Sequence, residues 1–137
     1  MSVSKRDFLN ALVKENDLIV KEDIFNFERG GKNIPIITRT GIEKIQYANE
    51  IKVSFELMSV PPQKDFAVVK AVATKGDTTI ETFASALFGK GREGNVTTLY
   101  VVEMAEKRAL SRAVLKLSGA YKYGVYGQDE SEDFKNG

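Results

Sequence analysis

Hydrophobic and polar residues alternate from Lys52 to Met58, with Val53, Phe55 and Leu57 on one side and Lys52, Ser54 and Glu56 on the other. This period of two predicts a half-buried strand. Pro61-Pro62 breaks it, Phe66 to Lys75 forms a second strand, Gly76-Asp77 supplies a two-residue hairpin turn, and Thr78 to Leu87 is a third strand. The period then changes. From Tyr100 to Ser118 the chain is helix-forming, and Ala105, Ala109 and Ala113 join Val102, Leu110 and Leu117 in an apolar face narrow enough to lie close against a sheet.

The N-terminal part is less regular. Ser4-Lys5-Arg6-Asp7 has the spacing of a capping box, with Val3 placed to staple onto Phe8, so a helix is predicted from Lys5 to about Lys14 with Leu9, Leu12 and Val13 inward. Leu18-Ile19-Val20 reads as a short strand and Arg29-Gly30-Gly31-Lys32-Asn33 as a turn or exposed loop. Ile34-Pro35-Ile36-Ile37 is extended and buried, with Pro35 away from a central ladder position. Thr40-Gly41-Ile42-Glu43 matches a second capping box and opens a short helix to about Asn49. The sum is an α+β fold, a three-stranded antiparallel sheet packed on a long C-terminal helix in a β-β-β-α core, preceded by an N-terminal helix. Residues 1–127 form one domain, and residues 128–137 form an acidic, flexible tail.

Composition narrows the chemistry. The 137 residues contain no Cys and no His, which excludes thiol nucleophiles, imidazole acid/base catalysis, disulfides and zinc sites of the Cys or His kind. Only carboxylates remain as metal ligands. Asp65, Asp77 and Glu81 are the candidates for Mg²⁺, but Asp65 and Asp77 fall at strand edges and turns, where carboxylates cap or solvate. Neither a cofactor nor an enzymatic activity is therefore expected. No segment approaches the ~20 apolar residues of a membrane span, and a cytoplasmic protein is expected.

The net charge of +1 averages unlike parts. Residues 128–137 hold four carboxylates and one lysine, a net of −3, whereas residues 89–127 hold seven cations and three carboxylates, a net of +4. In this basic region Arg108, Arg112 and Lys116 recur at helical spacing, with Lys107 beside them. Upstream, Gly89-Lys90-Gly91-Arg92-Glu93-Gly94 is a basic, glycine-rich loop that lacks the Gly-Lys-Ser/Thr of a P-loop. Downstream, Tyr121, Tyr123 and Tyr126 alternate with small residues. Arg108, Arg112, Lys116, Lys107, Lys90 and Arg92 as phosphate contacts, with Tyr121 and Tyr123, and Tyr126 beyond them, as stacking rings, would form a single-stranded nucleic-acid site. A solvated helix face supported by Glu103 and Glu106, a merely flexible loop, and tyrosines that pack on the core or on a neighbouring subunit are the competing readings.

Three stretches carry a resemblance to a family. They are Ile37-Thr38-Arg39-Thr40-Gly41-Ile42-Glu43-Lys44-Ile45, the Gly76-Asp77 hairpin, and Val102-Glu103-Met104-Ala105-Glu106-Lys107-Arg108-Ala109-Leu110-Ser111-Arg112-Ala113-Val114. Across residues 34–119 the chain resembles the phage-type single-strand DNA annealing proteins, the superfamily of the recombination mediator Rad fifty-two and the phage Erf and Red-beta proteins. The resemblance implies a sheet on a long helix ending near a glycine, with basic residues holding single-stranded DNA in the groove of a homo-oligomeric ring or filament. It also implies a role in phage or mobile-element recombination and repair, with an exonuclease or single-strand-binding protein as possible partner. A double-stranded RNA-binding module shares the element order, but it places lysines at the start of its last helix, where this chain has apolar Leu99 to Val102. A protein-assembly domain is the remaining alternative. Asp129 to Phe134, acidic with one aromatic, is similar to the docking tips of bacterial single-strand-binding proteins, except that Lys135-Asn136-Gly137 follow.

Overall fold

The computed structural model describes residues 4–61, 65–89, 94, 96 and 100–129. The order is α1 (Lys5–Asn16), α2 (Val20–Asp23), β1 (Ile24–Arg29), β2 (Lys32–Ile37), α3 (Arg39–Ala48), β3 (Lys52–Ser59), β4 (Phe66–Lys75), β5 (Thr78–Leu87), α4 (Val101–Ser118), a 3₁₀ turn (Ala120–Tyr123) and β6 (Tyr126–Gly127). Strands β3, β4 and β5 form an antiparallel sheet in sequence order, and α4 packs across β4 and β5. This is the predicted α+β core.

Small side chains set its spacing. Ala67, Val69, Ala71 and Ala73 of β4, with Thr82, Ala84 and Ala86 of β5, are buried in one cluster with Ala105, Ala109 and Ala113 of α4. With little more than methyl groups between them, helix and sheet approach closely enough for Thr82 Oγ1 to donate to the Ala109 carbonyl at 2.9 Å. The helix is enclosed on a second side as well. Val101, Val114 and Leu115 are fully buried while Val102, Leu110 and Leu117 are only partly so, and α3 and β6 pack against the same helix. The single apolar face predicted from sequence is therefore a helix clasped from two directions.

A second, smaller sheet supplies that clasp. Strands β1 and β2 form a hairpin through Gly30 and Gly31, both with positive φ (58° and 78°), as a type I′ turn requires. β6 adds parallel to β2 at Ile36 and Ile37 only, so Pro35 has β1 as its sole strand neighbour. Leu18 to Val20, read as a strand, instead leads into the single turn α2, because Asp23 turns back and accepts from the Ile19 amide at 2.8 Å. The second capping box is also displaced. Thr38 caps α3, accepting from the Gly41 amide at 3.2 Å, and Thr40 lies inside the helix. Gly41 is a close-approach position, where a methyl group would come within 2.7 Å of Ile37 Cγ2 and 3.1 Å of the Asp23 carbonyl. Ser4 caps α1 as predicted, accepting from Asp7 N at 3.1 Å, while the staple residue Val3 lies outside the described residues.

Strand β3 departs from its pattern. Its register pairs Phe55 with Ala71 and Leu57 with Val69, on the α4 side of the sheet. The helix lies over β4 and β5 instead, leaving Phe55 39% and Leu57 50% exposed. Gln128 and Asp129, counted with the tail from sequence, are part of the fold, and Asp129 is buried. Among the described residues no helix is long and apolar enough to cross a membrane.

Asp23 joins the two parts of the N-terminal region. It is fully buried and accepts from Lys44 Nζ at 2.7 Å as well as from Ile19, while its carbonyl accepts from Thr38 N. Burial alone would raise the carboxyl's pKa, but the Ile19 amide and the Lys44 ammonium outweigh it and hold the value below the ordinary aspartate range. A lowered folded value means a stabilisation that is complete above the unfolded pKa of about 4 and lost as pH falls through the folded one. Asp23→Asn is expected to cost about 2 kcal/mol at neutral pH. In urea unfolding from pH 7 to pH 3, the gap between the wild type and this variant should narrow at the acid end.

Candidate nucleic-acid interface

The three cations of the α4 stripe meet different fates. Four residues overshoot a full helical turn by about 40°, so the row rotates by about 80° from Arg108 to Lys116. Its first member turns inward. Arg108 is 6% exposed and donates from Nη1 to the Asp129 carbonyl at 2.9 Å. Asp129, itself 2% exposed, accepts on Oδ1 from Arg39 Nε (2.9 Å) and Nη2 (2.6 Å) and on Oδ2 from Ser111 Oγ (3.2 Å). The Arg39 amide also donates to Gln128 Oε1 at 3.2 Å. Arg108 thus anchors the C-terminal segment to α4, a structural role that its assignment as a phosphate contact did not include. The reason is burial: Nη1 is engaged by the Asp129 carbonyl and Nε is shielded from solvent.

Arg112 and Lys116 remain exposed. Arg112 reaches the outer edge of β5 and donates from Nη1 to the Phe83 carbonyl at 3.2 Å. An open depression of about 770 Å³ runs along this edge, and Arg112, Lys116 and Lys122 line it together with Tyr121, Tyr126 and Phe83. A smaller hollow of about 200 Å³ shares Arg112 and Phe83, extends to Val68 and Ser85, and is also bordered by Arg108. Glu81 is the acidic group lining the larger depression, and Lys70 engages it at 3.4 Å while holding Glu56 at 3.2 Å. Those two carboxylates, Glu56 foremost, raise the Lys70 pKa. The remaining charge along the depression is cationic, a surface that attracts a polyanion.

The other candidates are distributed unevenly. Lys107 is exposed but lies about 140° around the helix from Arg112 and lines neither depression. Tyr121 and Tyr126 are half-buried with ring centroids 5.7 Å apart, both along the groove. Tyr123 does not join them. Its ring stacks on Phe8 at 4.5 Å, fastening the 3₁₀ turn to α1, and Lys122 Nζ lies 5.8 Å from the same ring. Tyr123, expected as a stacking ring, therefore packs on α1 and does not line the groove. Lys90 and Arg92 lie outside the described residues, although Gly89 and Val96, at either end of their loop, pair beside β5. The imagined Mg²⁺ ligands are not assembled, since no group of three such side chains occurs among the described residues.

Lys122 and Phe83 are the cation and the aromatic ring of the groove that were not among the residues predicted to contact a strand. Phe83 had a sequence signal, an aromatic on the polar side of β5 between Glu81 and Ser85. Lys122 had none beyond its place in a basic region. Comparison of the chain with protein-family models, curated proteins and solved structures finds no match.

The two arginines of α4 should separate cleanly in stability measurements. Arg108→Ala is expected to cost about 3 kcal/mol, because it leaves the buried Asp129 carbonyl without its donor and empties a buried side-chain site. Asp129→Ala should cost about 2 kcal/mol, less than a fully buried pair because Arg39 is partly solvated. Arg112→Ala should stay within about 0.5 kcal/mol. Chemical denaturation of the three variants checks the order.

Proposed function

We propose that this protein binds single-stranded DNA along the outer edge of β5 and promotes strand annealing. The observation that carries this reading is the convergence of Arg112, Lys116 and Lys122 on one groove with Tyr121 and Tyr126. Annealing requires that phosphate charge be neutralised while base edges stay free to pair. Cations on a helix flank serve the first need, and aromatic faces, which touch only the flat side of a base, respect the second. Arg112 and Lys116 lie one turn apart, about 6 Å along the axis. That spacing supports contacts with neighbouring phosphates of an extended strand.

The start of α4 argues against duplex RNA. Its first turn carries Glu103 and no cation, and Tyr100 provides no side-chain cap. The exposed pair Phe55 and Leu57 supports self-association, since a second copy could cover what α4 leaves bare. That fits the ring or filament implied by the family resemblance.

Gel shifts with single-stranded DNA, duplex DNA and RNA at several salt concentrations test the proposal. Single-stranded DNA should bind most tightly, and Arg112→Glu with Lys116→Glu should reduce affinity by at least tenfold without moving the thermal midpoint. The corresponding alanine variants should each flatten the slope of log affinity against log salt by about 0.7. Equal affinity of the charge-reversed protein and the wild type would overturn the assignment.

A further inference from the structure

We propose that Phe83 forms a stacking subsite for an unpaired nucleobase, and that the bound strand crosses the β5 edge onto the uncovered face of the sheet. This rests on the nucleic-acid reading of the groove and adds a site for the base rather than the phosphate. The strand alternation fixes where Phe83 points. Thr82 and Ala84 are buried under α4, so Phe83 between them projects from the opposite face, where it is 48% exposed. An exposed aromatic is not in itself a site. Here the same residue also anchors a cation, because its carbonyl accepts from Arg112 Nη1 at 3.2 Å.

The two hollows give the path. The larger holds Lys116 and Lys122, the smaller reaches Val68, which faces away from α4, and both include Arg112 and Phe83. A strand whose phosphates lie on Lys116 and Arg112 is thereby carried over the edge, with the next base directed toward the Phe83 ring. The surroundings favour a base over an apolar peptide. Beside Phe83 on that face stand Glu81, Ser85 and Lys70, Lys70 directly opposite it in register. Val68 and Val72 lie diagonally across, so the ring is a flat π-surface interrupted by charged and polar groups, whereas peptide docking needs contiguous apolar area. Ring stacking requires an unpaired base and is indifferent to its identity, since every base has a π-face.

The test compares oligo-dT with an abasic deoxyribose-phosphate oligomer of the same length, using fluorescence anisotropy. Phe83→Ala should weaken oligo-dT binding about tenfold and leave the abasic oligomer and the salt slope unchanged. Phe83→Tyr should retain affinity, and the Phe83→Trp emission should be quenched on titration with oligo-dT. Thermal melts check that each variant stays folded. If Phe83→Ala binds oligo-dT as the wild type does, the stacking subsite is wrong while the cationic groove stands. If the wild type binds neither oligomer, both readings fall. Loss of affinity for both oligomers in a folded Phe83→Ala protein would mean that the residue only holds Arg112, and would equally overturn the subsite.

Discussion

The close contact of α4 with β4 and β5 is the constraint on which the rest depends. Alanines on both surfaces remove the side-chain bulk that would separate helix from sheet, and the Thr82–Ala109 hydrogen bond exists only at that short range. One flank of the helix is thereby brought level with the outer edge of β5. An arginine at position 112 can then reach a strand carbonyl, and the groove between helix and edge acquires its charge. A larger residue at Ala105, Ala109 or Ala113 would lift the helix and pull these elements apart.

Electrostatics is divided between structure and surface. Asp23 and Asp129 are buried carboxylates that each gather a cation and another donor, Asp23 in the N-terminal region and Asp129 between α3, α4 and the C-terminal segment, where Arg108 also holds its main-chain carbonyl. Such networks are costly to leave half made, which favours a unique arrangement of the segments they join. Arg112, Lys116 and Lys122 stay in solvent, where charge is available to a ligand. Residues of one chemical type on one helix therefore perform different tasks according to what covers them.

A β5 edge bordered by cations has a further consequence. Unpaired strand edges invite pairing with other chains, and charged side chains placed along them oppose it. Arg112 satisfies the Phe83 carbonyl, and Gly89 and Val96 pair beside the far end of the strand. On the α4 side of the sheet, uncovered apolar area lies at Phe55 and Leu57 on β3, which do not line the groove.

Local periodicity made β3, β4, β5, their glycine turn and α4 legible, because a period of two or of 3.6 is written in adjacent residues and needs no distant partner. The same holds for the Ser4 cap and the Gly30-Gly31 turn. Burial was not legible where it depends on distant chain. Arg108 meets a carbonyl 21 residues away and Arg39 a carboxylate 90 residues away, contacts that no helical wheel contains. Phe55 and Leu57 alternate correctly yet stay exposed, because the helix covers only two of the three strands. The amino-acid order by itself determined the elements and a basic region between residues 89 and 127. Tertiary packing decided which of its charges are structural and which are free for a ligand, since solvent exclusion is a property of the assembled layers rather than of any one segment.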